Sequence, residues 1–162
     1  MRQTKRRAYL SGGMEYAEKE GADWRSALEI WIEENLGHSV FNPNSESERY
    51  LARKRGNGNI RALKFDNVEE FGKLLKGVVD LDTKEIAHKS DYVVCLWDES
   101  AQKGAGTKGE VTIAKFFRKP VYLVTEMKRQ DIPGWVLGCV TKFFGSFEDL
   151  KTFLLTKYSS KG

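Results

Sequence analysis

Histidine, cysteine and proline are scarce in this chain: two His, two Cys and three Pro in 162 residues. Neither His38 nor His88 has a second histidine or a cysteine at metal-ligand spacing, so the pattern of a zinc site is missing. Cys95 in DYVVCLW and Cys139 in GCVTKFF lie in apolar surroundings and read as buried thiols rather than as a bridge. Long hydrophobic runs are also lacking, and none approaches the roughly 20 residues of a bilayer-spanning helix. The basic start, residues 1–7, leads into AYLSG and glycines instead of an apolar stretch with a cleavage site. The expected location is the cytoplasm.

What is present is an ordinary globular composition, 40% hydrophobic and 31% charged, in a length suited to one domain. Within it, residues 1–6 are expected to be flexible and residues 44–67 to form a charged variable insert. The net charge is only +4. Its basic clusters, Arg2 to Arg7 and Arg49 to Arg55, suit phosphate-bearing partners or simple solubility equally well.

Apolar runs alternate with segments of helical period, the pattern of a parallel sheet covered by helices on both faces. Strands are predicted over residues 7–11, 38–41, 92–97, 120–125 and 140–144. Trp24, Leu28, Trp31 and Ile32 fall at i, i+4, i+7 and i+8, a helical stripe that Gly37 can end in a left-handed conformation. Further helices are expected over 45–55, 68–75, 82–89 and 147–158, and one opened by Gly104, Gly106 and Gly109 and running to Arg118. GNGN, residues 56–59, reads as a loop.

In an open parallel sheet, ligands bind beyond the carboxyl ends of the strands where the strand order reverses. Two glycine-rich turns fall at such ends, YLSGGM (9–14) and GAGTKGE (104–110). Glycine admits a ligand close to the backbone, and helix N-termini favour anions. GAGTKGE lacks the Gly-Lys-Ser/Thr ending of a phosphate-binding Walker loop, and neither turn is a complete dinucleotide fingerprint. A kinase or dehydrogenase is therefore not the first reading.

Through YLSGGM, the aspartates of VDLDTKEI, the strand SDYVVCLW, GTKGEVTIAKFFRKPVYLV and the closing IPGWVLGC, the chain resembles the nucleoside 2-deoxyribosyltransferase family, with its relatives that hydrolyse nucleotide N-glycosidic bonds. The resemblance runs over most of the chain. It implies a flavodoxin-like, Rossmann-like three-layer α/β sandwich with a five-stranded, mainly parallel sheet, acting on a nucleoside or nucleoside monophosphate without cofactor or metal. It also implies a homodimer or higher homo-oligomer, because family members complete their sites with a neighbour's residues. The family's catalytic glutamate falls on Glu110, the tyrosine that orients it on Tyr9, and the aspartate near the nucleobase on Asp82, with Asp80 as the alternative. Ser11, Gly12, Gly13, Trp97, Gly104, Gly106, Thr107 and Lys108 then line the substrate. Such a pair of carboxylates suits a retaining glycosidic reaction: one attacks the anomeric carbon and the other protonates the departing base.

The chain departs from the family pattern in places. Gly104 stands where nucleoside-acting members tend to carry an aspartate and nucleotide hydrolases a serine, with Lys103 and Lys108 beside it, so substrate phosphorylation stays open. Gly13 replaces a common proline, and the final SSKG matches no terminal residues that a neighbour's site would use.

Each candidate also has a plainer reading. Thr107 to Glu110 is a capping-box pattern, and Asp82 with Glu85 suits a helix start. Tyr9 and Trp97 can be core aromatics, and residues 49–55 a solvated helix face. Two other functions stand beside the enzyme: a nucleotide-binding sensor that turns nothing over, and a nucleic-acid binder. The lack of aromatics interleaved with Arg53 to Arg61 counts against the latter.

Overall fold

A computed structural model describes residues 5–159. Five strands, β1 (Arg7–Gly12), β2 (Ser39–Phe41), β3 (Tyr92–Leu96), β4 (Val121–Val124) and β5 (Lys142–Phe144), form one sheet in the order β2-β1-β3-β4-β5. Every pairing is parallel, with Tyr9 opposite Val93 and Ser11 opposite Cys95. The three-layer flavodoxin-like expectation holds. The central strands are apolar on both faces because helices cover both, and Val93, Val94 and Cys95 are fully buried.

One face carries α1 (Ala22–Leu36) and α8 (Phe147–Tyr158), packed through Leu28, Ile32, Leu150 and Leu154 onto Ala8, Leu10 and Val94. Gly37 ends α1 at φ 65°, in the left-handed region where glycine has no Cβ to clash. The other face carries α2 (Pro43–Arg55), α3 (Ile60–Asp66), α4 (Val68–His88), α6 (Gly106–Phe116) and α7 (Gly134–Cys139). Its core joins Tyr9, Cys95, Trp97 and Leu123 to Ile86 and Val111. A short helix, α5 (Glu99–Lys103), lies between β3 and α6 and is capped by Asp98, whose carboxylate accepts from the Ala101 amide. The chain passes from β1 out to β2 and then back across to β3, so the strand order reverses between β1 and β3.

The helices differ from expectation in places. The helices expected over 68–75 and 82–89 are parts of one 21-residue helix, α4, which ends at His88 and at 1.5 Å per residue is about 31 Å long. That exceeds the roughly 20 Å of a six-residue strand, so α4 runs past the sheet. Gly77 of α4 is a packing position: a Cβ there would lie 1.7 Å from Tyr50 Oη on α2. Asp82 is consequently inside a helix and caps nothing. Glu85 is no capping partner either, since it is buried and pairs with Arg7 Nε at 2.5 Å. The helices α3, α5 and α7 lie in stretches where none was expected. Cys95 and Cys139 are both free and buried. Residues 1–4, expected to be flexible, and residues 160–162 of the closing SSKG lie outside the described residues. Among the described residues no helix is long and apolar enough to cross a membrane.

Candidate active site

Tyr9 and Ser11 alternate with Ala8 and Leu10 along β1, and so project onto the face that α4 and α6 cover. Asp82 reaches the same space from α4 and Glu110 from α6. Tyr9 is fully buried, with its hydroxyl close enough to both carboxylates to favour their ionised forms. Ser11 sits beside Glu110 and the Cys95 thiol.

None of these groups is fully engaged. Tyr9 Oη, Ser11 Oγ, Asp82 Oδ1, Trp97 Nε1 and Glu110 Oε2 are all shut from solvent without a well-aligned hydrogen bond, leaving only Ser47 Oγ and Gln102 Oε1 as other such atoms among the described residues. Buried polar atoms are normally paired, so this concentration on one face marks the candidate site.

Burial sets the electrostatics. It pushes Glu110 up to about 7, against the opposing pull of the Tyr9 hydroxyl, the Arg25 charge and Ser11. Asp82 is pushed up to about 8, by burial first and by the charge of Glu110 second. Tyr9 is held well above its ordinary value by burial and by both carboxylates, which keeps its hydroxyl a donor. Two like groups so coupled lose their protons in separate steps, the charge of the first to ionise holding the proton on the second.

Asp80 does not join them. Two residues along a helix are about 200° apart, so Asp80 is exposed on the outer side of α4 while Asp82 faces inward. Thr107 is buried as the second residue of α6 and caps nothing; the N-cap position is Ala105. The capping-box reading of Glu110 therefore fails. Lys108 donates to the Gln102 carbonyl at 2.6 Å and ties α5 to α6, while Lys103 stacks on the Tyr16 ring at 4.5 Å. Gly106 flanks Glu110, where an added Cβ would lie 3.8 Å from Oε1, and Gly104 approaches the Ser100 carbonyl and Tyr16. Trp97 is 1% exposed and packs in the core at the end of β3.

The glycines of the first turn serve the protein's own packing as well. A Cβ on Gly13 would meet Ser100 Oγ at 2.0 Å, and one on Gly12 would meet the Trp24 ring at 2.9 Å. Between this turn and α5 opens a cleft of about 480 Å³, lined by Gly13, Tyr16, Glu18, Trp24, Asp98 and Ser100 among others. It lies at the β1/β3 reversal. Neither this cleft nor a second hollow, of about 420 Å³ between α2 and α3, is lined by Tyr9, Ser11, Asp82 or Glu110. Sequence reasoning missed Arg25 and Ser100: a lone arginine in an amphipathic helix and a serine after a strand carry no signal until the chain has folded.

No protein-family model and no curated protein sequence matches the chain. Solved structures do. A 2-deoxyribosyltransferase from Bacillus psychrosaccharolyticus superposes with a TM-score of 0.60 at 16% identity, over 94% of this chain and 95% of that one. A Clostridium botulinum CMP N-glycosidase superposes with a TM-score of 0.52, also at 16% identity, over 94% and 99%. The chain has the fold of these two enzymes. At such identity the likeness concerns architecture; the chemistry has to be argued from the residues.

Proposed function

We propose that this chain is an enzyme of the nucleoside 2-deoxyribosyltransferase type, cleaving or exchanging the N-glycosidic bond of a nucleoside or nucleoside 5'-monophosphate. The observation that carries the reading is the convergence of Asp82 from α4 and Glu110 from α6 on the fully buried Tyr9, each with a side-chain oxygen shut from solvent and not fully engaged. The two structural neighbours, a 2-deoxyribosyltransferase and a CMP N-glycosidase, support it.

In the first step the Glu110 carboxylate attacks the anomeric carbon as the bond to the base breaks. The bonding electrons leave with the base nitrogen, which takes the proton of Asp82, and the sugar stays on Glu110 as an ester. In the second step another base nitrogen, or water, attacks the same carbon, returns a proton to Asp82 and frees Glu110. Tyr9 orients Glu110 through its hydroxyl. Ser11, Gly104 and Gly106 are proposed to flank the sugar, and Trp97, Thr107 and Lys108 to shape the walls around it. The free buried thiols are in keeping with a reducing compartment such as the cytoplasm. Trp135 on α7 and Phe116 on α6, 72% and 78% exposed beside the helix that carries Glu110, suit a homo-oligomeric contact.

Purified protein incubated with a panel of nucleosides and 5'-monophosphates, with and without a free acceptor base, tests the reading. Base release or exchange that is lost in Glu110→Ala supports it. Saturable nucleotide binding that survives Glu110→Ala, with no turnover in the unmodified protein, would replace it with a sensor.

A further inference from the structure

Arg25 is the least conspicuous charged residue in the sequence and the most enclosed in the fold, at 0% exposure. Its guanidinium donates to the carbonyls of Leu10 (3.1 Å), Gly12 (2.8 Å), Gly13 (3.5 Å), Glu20 and Gly21 (both 3.2 Å), and to Asn44 Oδ1 (3.2 Å). Every one of these acceptors is neutral. Among the described residues no carboxylate forms an ion pair with it.

The backbone is shaped around this cation. Lys19, Glu20 and Gly21 are left-handed in succession, at φ 46°, 54° and 71°, which costs the two non-glycine residues of order 1 kcal/mol or more each. Arg25 holds the carbonyls of the last two, and Asn44 Nδ2 takes the Glu20 carbonyl again at 2.9 Å. A Cβ on Gly21 would come within 2.7 Å of the guanidinium. Gly12 and Gly13 turn their carbonyls to Arg25, and the peptides are trans, so the N–H groups of Gly13 and Met14 face the other way. Neither donates to another described group. An arginine that only filled space would not need a strained turn built around it.

We propose that Arg25 is a positioning residue for the carboxylate site, fixing the β1 turn that follows Tyr9 and Ser11 with its amides turned outward and lending that site a buried positive charge. This rests on the function proposed above for that site. The charged and titratable groups facing the pair are Tyr9 from β1, Cys95 from β3, Arg25 from α1 and Glu85 from α4, and Arg25 is the cation among them. A positive charge favours a neighbouring carboxylate's ionised form, so its removal raises the carboxylate's pKa.

The test reads titration, independently of turnover. In protein carrying ¹³C-carboxyl glutamate and aspartate, Arg25→Met is expected to raise the Glu110 midpoint by about one unit, while Arg25→Lys, which keeps the charge but not the fork, leaves it within about half a unit. Folded Arg25→Met with an unmoved midpoint would overturn the proposal. Should Arg25→Met not fold, the Arg25 Nε–H resonance of the unmodified protein gives the answer: it should shift with the carboxylate titration and lose that shift in Glu110→Gln. A resonance flat from pH 5 to 9 overturns it. Where turnover is measurable, Arg25→Lys should raise KM about tenfold with the acid limb of kcat/KM in place, as expected of a loosened turn; an unchanged KM would remove the role in fixing the turn.

Discussion

Asp82 and Glu110 enter one buried space from different helices, α4 and α6, and the charge of Glu110 helps to keep Asp82 protonated. Tyr9 lies against both. Two carboxylates coupled in this way give up their protons in separate steps, so that over an intermediate range of pH the pair holds one proton.

If Glu110 is the nucleophile and Asp82 the acid, their losses differ in kind. Glu110→Gln should lower kcat by at least about 10³-fold on every substrate. Asp82→Asn should cost about 10²–10⁴-fold, more for poor leaving bases and least for bases that depart without a proton. Steady-state rates on a series of substrates with different leaving bases check this; equal losses across the series would exclude Asp82 as the acid.

Activity should be confined to a narrow range of pH. Glu110 is ionised above about 7 and Asp82 is protonated below about 8, so kcat/KM should follow a bell whose two apparent midpoints belong to the coupled pair. The rate profile between pH 5 and 10 measures it. In Asp82→Asn the alkaline limb should vanish.

The same pair is a cost to the fold at high pH. Both folded values lie above the roughly 4 of an unfolded carboxyl group, so the native state binds more protons than the unfolded state between about 4 and 8. Their stabilising contribution is full below that window and is lost as pH rises through it. Asp82→Asn or Glu110→Gln should therefore be more stable than the parent at pH 8.5, by about 1–3 kcal/mol, and equal to it near pH 4. Urea unfolding at the two pH values measures the difference.

His38 works in the other direction. Burial, and then the charge of Arg6, lower its pKa, while Nδ1 meets the Tyr92 hydroxyl at 3.0 Å. A lowered folded value means that stability is full above about 6.5 and falls as pH drops below it towards the folded value. The loss follows from the proton that the unfolded state binds before the folded state does. It should be missing in His38→Gln, measured by the same unfolding experiment.

Gly77 offers a test of how α2 packs on α4. Glycine to alanine inside a helix normally gains about 1 kcal/mol. Here the new Cβ would strike Tyr50 Oη, 1.7 Å away, so Gly77→Ala should destabilise. In a Tyr50→Ala background the sign should reverse. A double-mutant cycle by thermal unfolding reads the coupling.

Much of the architecture was legible in the chain because it rests on local regularities. Fully buried parallel strands are continuous apolar runs, so the runs around Tyr9, Val40, Val94, Leu123 and Phe143 announced the five strands. The stripe from Trp24 to Ile32 and the stop at Gly37 announced α1. Glu110, Tyr9 and Asp82 were found through a resemblance spread over separate segments, since nothing local in any one of them distinguishes chemistry from capping.

What the sequence determined by itself was thus the periodicity of each segment and the residue types at the ends of the strands. Tertiary structure decided the rest. Gly77 carries no signal in the chain until Tyr50, 27 residues away, is seen to need the space. The chain favours Asp82 by its place in the pattern but leaves Asp80 as an alternative, and the sheet beneath α4 selects between them by the side it covers. Arg25 is one more surface charge in a helical pattern until carbonyls from residues 10, 12, 13, 20 and 21 close around it. Burial and charge depend on atoms distant in sequence, and they are what make a carboxylate into an acid or a nucleophile.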